Sequence, residues 1–376
     1  LELVYNIMAI YLDYNATAPM RQEAFEATCE LLQKPLNASS VHSNGRAAKA
    51  ILEKSRTKIA DIIGCFPAEL VLTGCGTEAN NMVLNGVGDA AIAVCATEHS
   101  SVLKVSTGAH LIPVNQHGII NMQALEEWLR AVDSPALVAV MLANNETGVV
   151  QNVRDVAQLV HQYGGLVHCD AVQAFGKIAV DCTMLQVDFL SLSAHKIGGG
   201  LGAGALFIAD KRSLSPLILG GGQEQGRRAG TENIAAISAF AAASEEAMDM
   251  GWTKRLRGWL DIMEEQCQAM FAGEKIILGV GASRLPNTSC LRMPNIASQT
   301  QLIHFDMEGI GLSAGSACSS GRVTRSHVVQ AMLGAGAGDD VIRISGGWNT
   351  TEEEIKSFTA SWQKLARRLT DKRNSY

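Results

Sequence analysis

Between residues 47 and 245, short apolar runs alternate with segments of helical periodicity, and this alternation narrows the possible folds more than any other feature. Apolar runs at 69–73, 91–95, 137–142, 166–169, 189–193 and 205–208 predict buried strands. Helical patterns at 46–63, in a segment ending at Gly86, and at 153–163 separate them. Buried strands joined through helices give a mainly parallel sheet covered on both faces. Segment 232–271 reads as one long helix leading to a second unit. There, shorter strands at 288–292 and 341–345 mix with helices at 327–333 and 352–369. The expected organisation is a large α/β domain over 15–252 and a smaller α+β domain built from 1–14 and 253–376.

Bulk properties remove several classes of function. The net charge of −6 and pI near 5.9 give no reason to expect nucleic acid. No apolar stretch approaches the ~20 residues that span a bilayer, so no membrane partner is expected. The first ten residues lack a basic n-region and a cleavage site. Met8 lies just before the first strand, which makes residues 1–7 an expected upstream extension and leaves Leu1 or Met8 as the start. The nine cysteines form no C-x-x-C pair and no cluster with metal spacing, so no metal is expected and the chain reads as reduced and cytoplasmic. Cys318 stands apart. Small residues surround it, and Arg322 and Arg325 follow, a setting that favours exposure and thiolate formation.

Ligands on open α/β sheets bind beyond the carboxyl ends of the strands. Asp170, His195, Lys196 and Thr77 all fall there. Lys196 follows an apolar run and precedes a glycine-rich stretch, 198–204. A lysine that forms a covalent imine needs desolvation, a polar anchor and close backbone approach. Asp170 ends the run 166–169, and a lysine with a carboxylate that pairs a pyridine nitrogen is the combination a pyridoxal phosphate site requires. The same two residues also fit a surface lysine and a helix-capping aspartate. Gly74-Cys75-Gly76-Thr77 precedes a helix and suits either a phosphate or ordinary capping. His99 follows a buried strand, where an imidazole can stack on a cofactor and carry protons. Asn144 and Asn145 suit a ligand oxygen or a tight turn. Arg343, within an apolar strand, needs an anion, either a substrate carboxylate or a structural ion-pair partner. The stretch 220–231 is too long and polar for a simple turn.

From Tyr11-Leu12-Asp13-Tyr14-Asn15-Ala16-Thr17-Ala18-Pro19 to Thr350-Thr351-Glu352-Glu353-Glu354-Ile355, the chain resembles the cysteine desulfurases, pyridoxal-phosphate enzymes of fold type I in the class V aminotransferase group. The most specific pieces are Ser193-Ala194-His195-Lys196, Arg227-Arg228-Ala229-Gly230-Thr231 and Gly315-Ser316-Ala317-Cys318-Ser319-Ser320-Gly321. The resemblance implies a seven-stranded sheet in the large domain and pyridoxal 5'-phosphate bound covalently by Lys196. It implies that Asp170 pairs with the ring nitrogen, Gln173 contacts the ring hydroxyl and His99 stacks on the ring. Thr77, Ser193 and His195 would bind the phosphate, joined by Thr231 from the other subunit of a homodimer. Asn145 and Arg343 would hold the carboxylate of L-cysteine, and Cys318 would accept the sulfur for delivery to an acceptor or scaffold protein, as in iron–sulfur cluster assembly. Aminotransferases on this fold need no thiol there, whereas selenocysteine lyase uses similar machinery. Two departures stand out: Gly346-Gly347-Trp348 where the family often has a Gly-Arg pair, and Ala38 where it often has proline.

Overall fold

The computed structural model describes residues 10–210, 212–271, 273–315 and 325–373. The chain starts with strand β1 (Ile10–Tyr11) and helices α1 (Gln22–Leu32) and α2 (Ser43–Ile63). Next come β2 (Leu70–Thr73), α3 (Gly76–Gly86), β3 (Ala91–Cys95), α4 (Ser100–Leu103), β4 (His110–Ile112), α5 (Met122–Ala131) and β5 (Ala136–Met141). Then follow α6 (Val153–Gln162), β6 (Leu166–Asp170), α7 (Cys182–Leu185), β7 (Phe189–Ser193) and β8 (Gly204–Ile208). Helices α8 (Ile234–Glu246) and α9 (Gly251–Gln268) lead to β9 (Thr288–Arg292), α10 (Ser298–Met307), β10 (Ile310–Gly311), α11 (His327–Leu333), β11 (Val341–Ser345) and α12 (Glu352–Arg373).

Seven strands form one sheet in the order β2-β8-β7-β6-β5-β3-β4. Only β8 runs against its neighbours. This is the mainly parallel sheet that the strand–helix alternation predicts. Alternate strand residues face opposite sides, because the side-chain period of a strand is two. Leu70, Leu72, Val138, Val140, Leu190 and Leu192 enter one apolar core, shared with α2, α6 and α8. Val71, Val94, Leu137, Phe189 and Leu206 enter another, shared with α3. A separate core forms around Leu12, Leu256, Phe305, Ile342, Phe358 and Trp362 from the remainder of the chain.

Several sequence expectations are corrected. The long helix expected over 232–271 is two helices, separated at 247–250. Asp249 accepts a hydrogen bond from the Gly251 backbone N–H at 3.0 Å, and this local side-chain bond replaces helix continuation. Helix α2 begins earlier than residue 46, because His42 caps it by accepting from the Gly45 N–H. Strand β4 and helices α1 and α5 had no counterpart in the sequence reading. Strand β4 has only three residues, two of them exposed, too few to show a period.

The strand register fixes the edge on which ligands can sit. Asp170 lies beside Met141 of β5 and Ser191 of β7. Gly204, at the start of β8, lies opposite Thr73 and Ser193. A Cβ at Gly204 would lie 2.6 Å from the Cys75 carbonyl carbon and 2.8 Å from the Leu192 oxygen, both backbone atoms. Gly204→Ala is therefore expected to lower stability by about 1–3 kcal/mol through overpacking, seen as a lower thermal unfolding midpoint. An unchanged midpoint would show that β8 and the 74–76 turn have room to separate.

Candidate functional site

A cavity of about 360 Å³ opens at the carboxyl edge of the parallel strands. The segments after β2, β3, β5, β6 and β7 all reach it, and so do Ser313, Gly315, His327 and Arg343 from the other core. Of the sequence-predicted residues, Thr77, His99, Asn145, Asp170, Gln173, Ser193, His195, Lys196 and Arg343 line this one space. Residues up to 266 positions apart in sequence thus share a cavity of one small molecule's size.

The floor is a fixed polar network. Asp170 Oδ2 accepts from Asn80 Nδ2 at 2.7 Å, and Oδ1 accepts from the Val172 backbone N–H at 3.0 Å. Lys196 Nζ donates to the carbonyl oxygens of Asn15 at 2.7 Å and Ala16 at 2.8 Å. No carboxylate pairs with it among the described residues. Burial pushes the Lys196 amine down from its usual 10.5 to about 8, and the Arg343 cation pushes it the same way. Gln173 Nε2 donates to the same Asn15 carbonyl at 2.9 Å, and its Oε1 accepts from Lys177 Nζ at 2.7 Å. A carbonyl can only accept, so the Asn15 oxygen makes the Gln173 amide turn its NH₂ toward it and its Oε1 toward Lys177.

The opposite end suits an anion. Gly76 and Thr77 open the eleven-residue helix α3, where backbone N–H groups lack intrahelical partners. Ser193 Oγ is buried with no hydrogen-bond partner in the described structure. His195 Nδ1 lies 3.3 Å from Thr17 Oγ1, and burial, with Lys196 and Lys177 nearby, pushes this imidazole down to about 4. A Cβ at Gly76 would meet Val172 Cγ2 at 2.8 Å, so only glycine lets the helix start close on β7 and the turn after β6. Arg228 braces the turn from outside: its Nε binds Glu78 at 2.7 Å, and Glu78 also accepts from the Gly74 N–H. Thr231 is exposed and does not line this cavity.

Arg343 finds an anion within the chain. Its Nη2 donates to Asp13 Oδ1 at 2.6 Å and Nη1 to the Asn145 carbonyl at 3.1 Å. Its Nε is buried and has no partner among the described residues. The ion-pair reading of Arg343 has its partner in Asp13, and the side chain also lines the cavity. The two asparagines separate. Asn144 is a turn residue, whose Oδ1 accepts from the N–H groups of Glu146 and Thr147. Asn145 faces the cavity. Cys318 and Arg322 lie outside the described residues. Gly315, three residues before Cys318, and His327, nine after it, both line the cavity.

The sequence reading assigned no role to Asn15, Asn80, Ser101, Lys177 or Asp13. Asn15 and Asp13 lie in a motif quoted for the family resemblance, which was the available signal. Asn80 and Lys177 face inward one helical turn beyond Gly76 and Gln173 respectively, and nothing in composition separates them from surface polar residues. The Gly346-Gly347-Trp348 departure has a structural counterpart. Tyr14 packs edge-on against Trp348, with centroids 5.4 Å apart at 87°, and the Arg21 guanidinium lies 3.8 Å above the Trp348 ring. A Cβ at Gly347 would collide with the Tyr14 ring at 2.0 Å.

This sheet, with a desolvated lysine and an anchored carboxylate at its carboxyl edge, defines a class. The class-V aminotransferase family model matches residues 10–358, and the chain belongs to that family. Within it the chain groups with the cysteine desulfurases. It is 35% identical over 382 residues to "Cysteine desulfurase IscS" of Dictyoglomus turgidum, covering 96% of this chain and 95% of that one. It is 33% identical to "Cysteine desulfurase NifS" of Azotobacter vinelandii, covering 92% and 90%. Its fold matches the X-ray structure of a NifS-like protein from Rickettsia africae with a TM-score of 0.88 at 33% identity, over 95% of this chain and 99% of that one.

Two measurements check the geometry. In protein stripped of any bound carbonyl compound, modification of Lys196 by a small amine-directed reagent, followed by peptide mass spectrometry, is expected to rise with pH through a midpoint near 8. The sign follows from the lowered value: below it the amine is protonated and unreactive, above it free. A midpoint at the usual lysine value would show that Lys196 is not desolvated. Arg343→Lys keeps the charge but loses the planar fork. Loss of one charge-assisted hydrogen bond, about 1.5–3 kcal/mol, is expected to cut kcat/KM for a carboxylate substrate by about ten- to a hundredfold, mainly through KM. Wild-type kcat/KM would leave Arg343 with the Asp13 ion pair alone.

Proposed function

We propose that the chain takes sulfur from L-cysteine with pyridoxal 5'-phosphate as cofactor, releases L-alanine, and carries the sulfur as a persulfide on Cys318. The observation that carries this reading is that Lys196 and Asp170 line one cavity whose far end combines an open helix N-terminus with the unpartnered Ser193 hydroxyl. A phosphorylated pyridine aldehyde matches that donor set group for group. Lys196 would hold its aldehyde carbon, Asp170 its ring nitrogen, and Gln173 its ring oxygen. Thr77, Ser193 and His195 would hold the phosphate, and His99 would pack on the ring. When bound, the cofactor supplies the electron sink for bond changes at the substrate α-carbon.

The chain's own residues supply the rest. Arg343 and Asn145 orient the substrate carboxylate. Lys196, once free, takes the α-proton on Nζ and returns it, a task suited to an amine whose basicity desolvation has lowered to about 8. Cys318 as thiolate forms a bond to the substrate sulfur while the substrate carbon–sulfur bond breaks. In sum, cysteine and one thiol become alanine and one persulfide. The persulfide then passes to an acceptor or scaffold protein, of the kind that serves iron–sulfur cluster assembly.

A homodimer belongs to the same proposal, because Thr231 is exposed on this chain and can complete the phosphate site only from a second copy. So do the domain division at residues 15 and 252, which the separate cores around Phe240 and Trp362 support, and a cytoplasmic location. No described helix is long and apolar enough to cross a membrane.

The purified protein is expected to be yellow, and borohydride should bleach it and fix a label on the Lys196 peptide. Cys318→Ser should keep the colour and still respond spectrally to cysteine. Its alanine production should fall by a factor on the order of 10³ or more, as for loss of a nucleophile. Wild-type turnover by Cys318→Ser would end the desulfurase reading, and a colourless protein that gains no colour from added cofactor would end the cofactor reading.

A further inference from the structure

His99 is the residue just before α4, and its environment fixes which ring nitrogen carries the proton. Nδ1 accepts from the Ser101 backbone N–H at 3.1 Å and lies 2.8 Å from Ser101 Oγ. Ser101 Oγ accepts from Asn80 Nδ2 at 2.9 Å, and because the backbone N–H already makes Nδ1 an acceptor, the Ser101 hydroxyl donates to it. Asn80 Nδ2 also donates to Asp170 Oδ2 at 2.7 Å. A carboxylate only accepts, so Asp170 holds the Asn80 amide with its NH₂ inward. Every bond in the series from Asp170 through Asn80 and Ser101 to His99 therefore has one allowed direction.

We infer that Asn80 and Ser101 are positioning residues that hold His99 as a neutral imidazole with its proton on Nε2, so that His99 presents an N–H donor to the cavity. Charging the ring requires a proton on Nδ1, where two donors already point. The Ser101 backbone N–H would then lose its acceptor, and the Ser101 hydroxyl would have to turn from donor to acceptor. The series is a clamp that holds one tautomer. The charged and titratable groups facing the ring are Asp170 of β6, which favours the cation, and Lys196 after β7 and His327 of α11, which oppose it. Burial is the largest influence and also opposes it, so the ring is less basic than an ordinary histidine.

The clamp rests on the chain's own hydrogen bonds, and only what the Nε2 donor would face rests on the cofactor reading. The test is NMR of the full-length protein labelled with ¹⁵N-histidine, with the His99 signals identified by their loss in His99→Gln. In the wild type, His99 is expected to show a bare Nδ1 and a protonated Nε2, and to stay neutral at pH values where an exposed histidine is mostly charged. Ser101→Ala removes one of the two donors and is expected to raise the protonation midpoint by about one pH unit, a tenfold gain in proton affinity. A wild-type ring with its proton on Nδ1, or one that charges in step with exposed histidines, would overturn the clamp. So would an unchanged midpoint in Ser101→Ala. The wild-type titration decides the matter even where that variant fails to fold. A protein that shows the clamp but binds no pyridoxal 5'-phosphate would refute the functional reading and leave the clamp standing.

Discussion

Asn15 is the point on which the site depends. It is buried, and its backbone N–H donates to Ser345 Oγ of β11 at 3.0 Å. Its Nδ2 donates to Thr288 Oγ1 at the start of β9 and to the Asn145 carbonyl. Its Oδ1 accepts from Lys177 and from Asn287, and its carbonyl accepts from Gln173 and Lys196. One residue thus ties the second core to the turn after β5 and to the floor of the cavity. An interior amide with every donor and acceptor filled is rigid, because any shift strands several partners at once. That rigidity lets a short segment near the start of the chain aim a lysine from position 196.

The network gathers two amines that no described carboxylate pairs with. Lys177 and Lys196 both donate to Asn15, and neither meets a carboxylate among the described residues. Burial and the neighbouring cations Lys196 and Arg343 push the Lys177 amine well below its ordinary value. On the other side, burial pushes the Glu98 carboxyl well above its ordinary value, and nearby Asp170 adds to this. Its Oε1 accepts from the Met141 N–H at 2.6 Å. Around the cavity, Lys196 and nearby Lys177 are thus shifted toward the neutral form, while Asp170 lines the same space as an anchored carboxylate. Such pairs of groups, driven apart by environment, mark sites of proton chemistry more often than sites of mere stability.

The ends of the segment that contains Cys318 are also fixed by polar contacts. Ser313 Oγ donates to Asp13 Oδ2 at 2.8 Å, and the Arg343 N–H donates to the Ser313 carbonyl at 2.6 Å. Beyond the segment, Ser326 Oγ donates to buried Glu146 Oε2 at 2.5 Å and caps α11 through the Val329 N–H. Asp13 thereby serves two partners, Arg343 and Ser313, and couples the cavity-lining arginine to the entry of the cysteine segment.

The sequence by itself determined the sheet, because apolar runs of strand length separated by helical periods leave a parallel, doubly covered arrangement as the economical solution. It also placed Asp170, Ser193, His195 and Lys196 at strand ends, since those positions follow directly from the runs. Helix continuity across 247–250 was not legible, because a local Asp249 bond overrides a periodic pattern. The tertiary structure alone decided which polar residues meet. Asn15 reaches Lys196 across 181 positions and Asp13 reaches Arg343 across 330, and no local pattern encodes a contact between segments so far apart. It also decided the protonation geometry of the site. The directions in which Lys177 turns Gln173 and Ser101 turns His99 follow from donors and acceptors brought together only by folding.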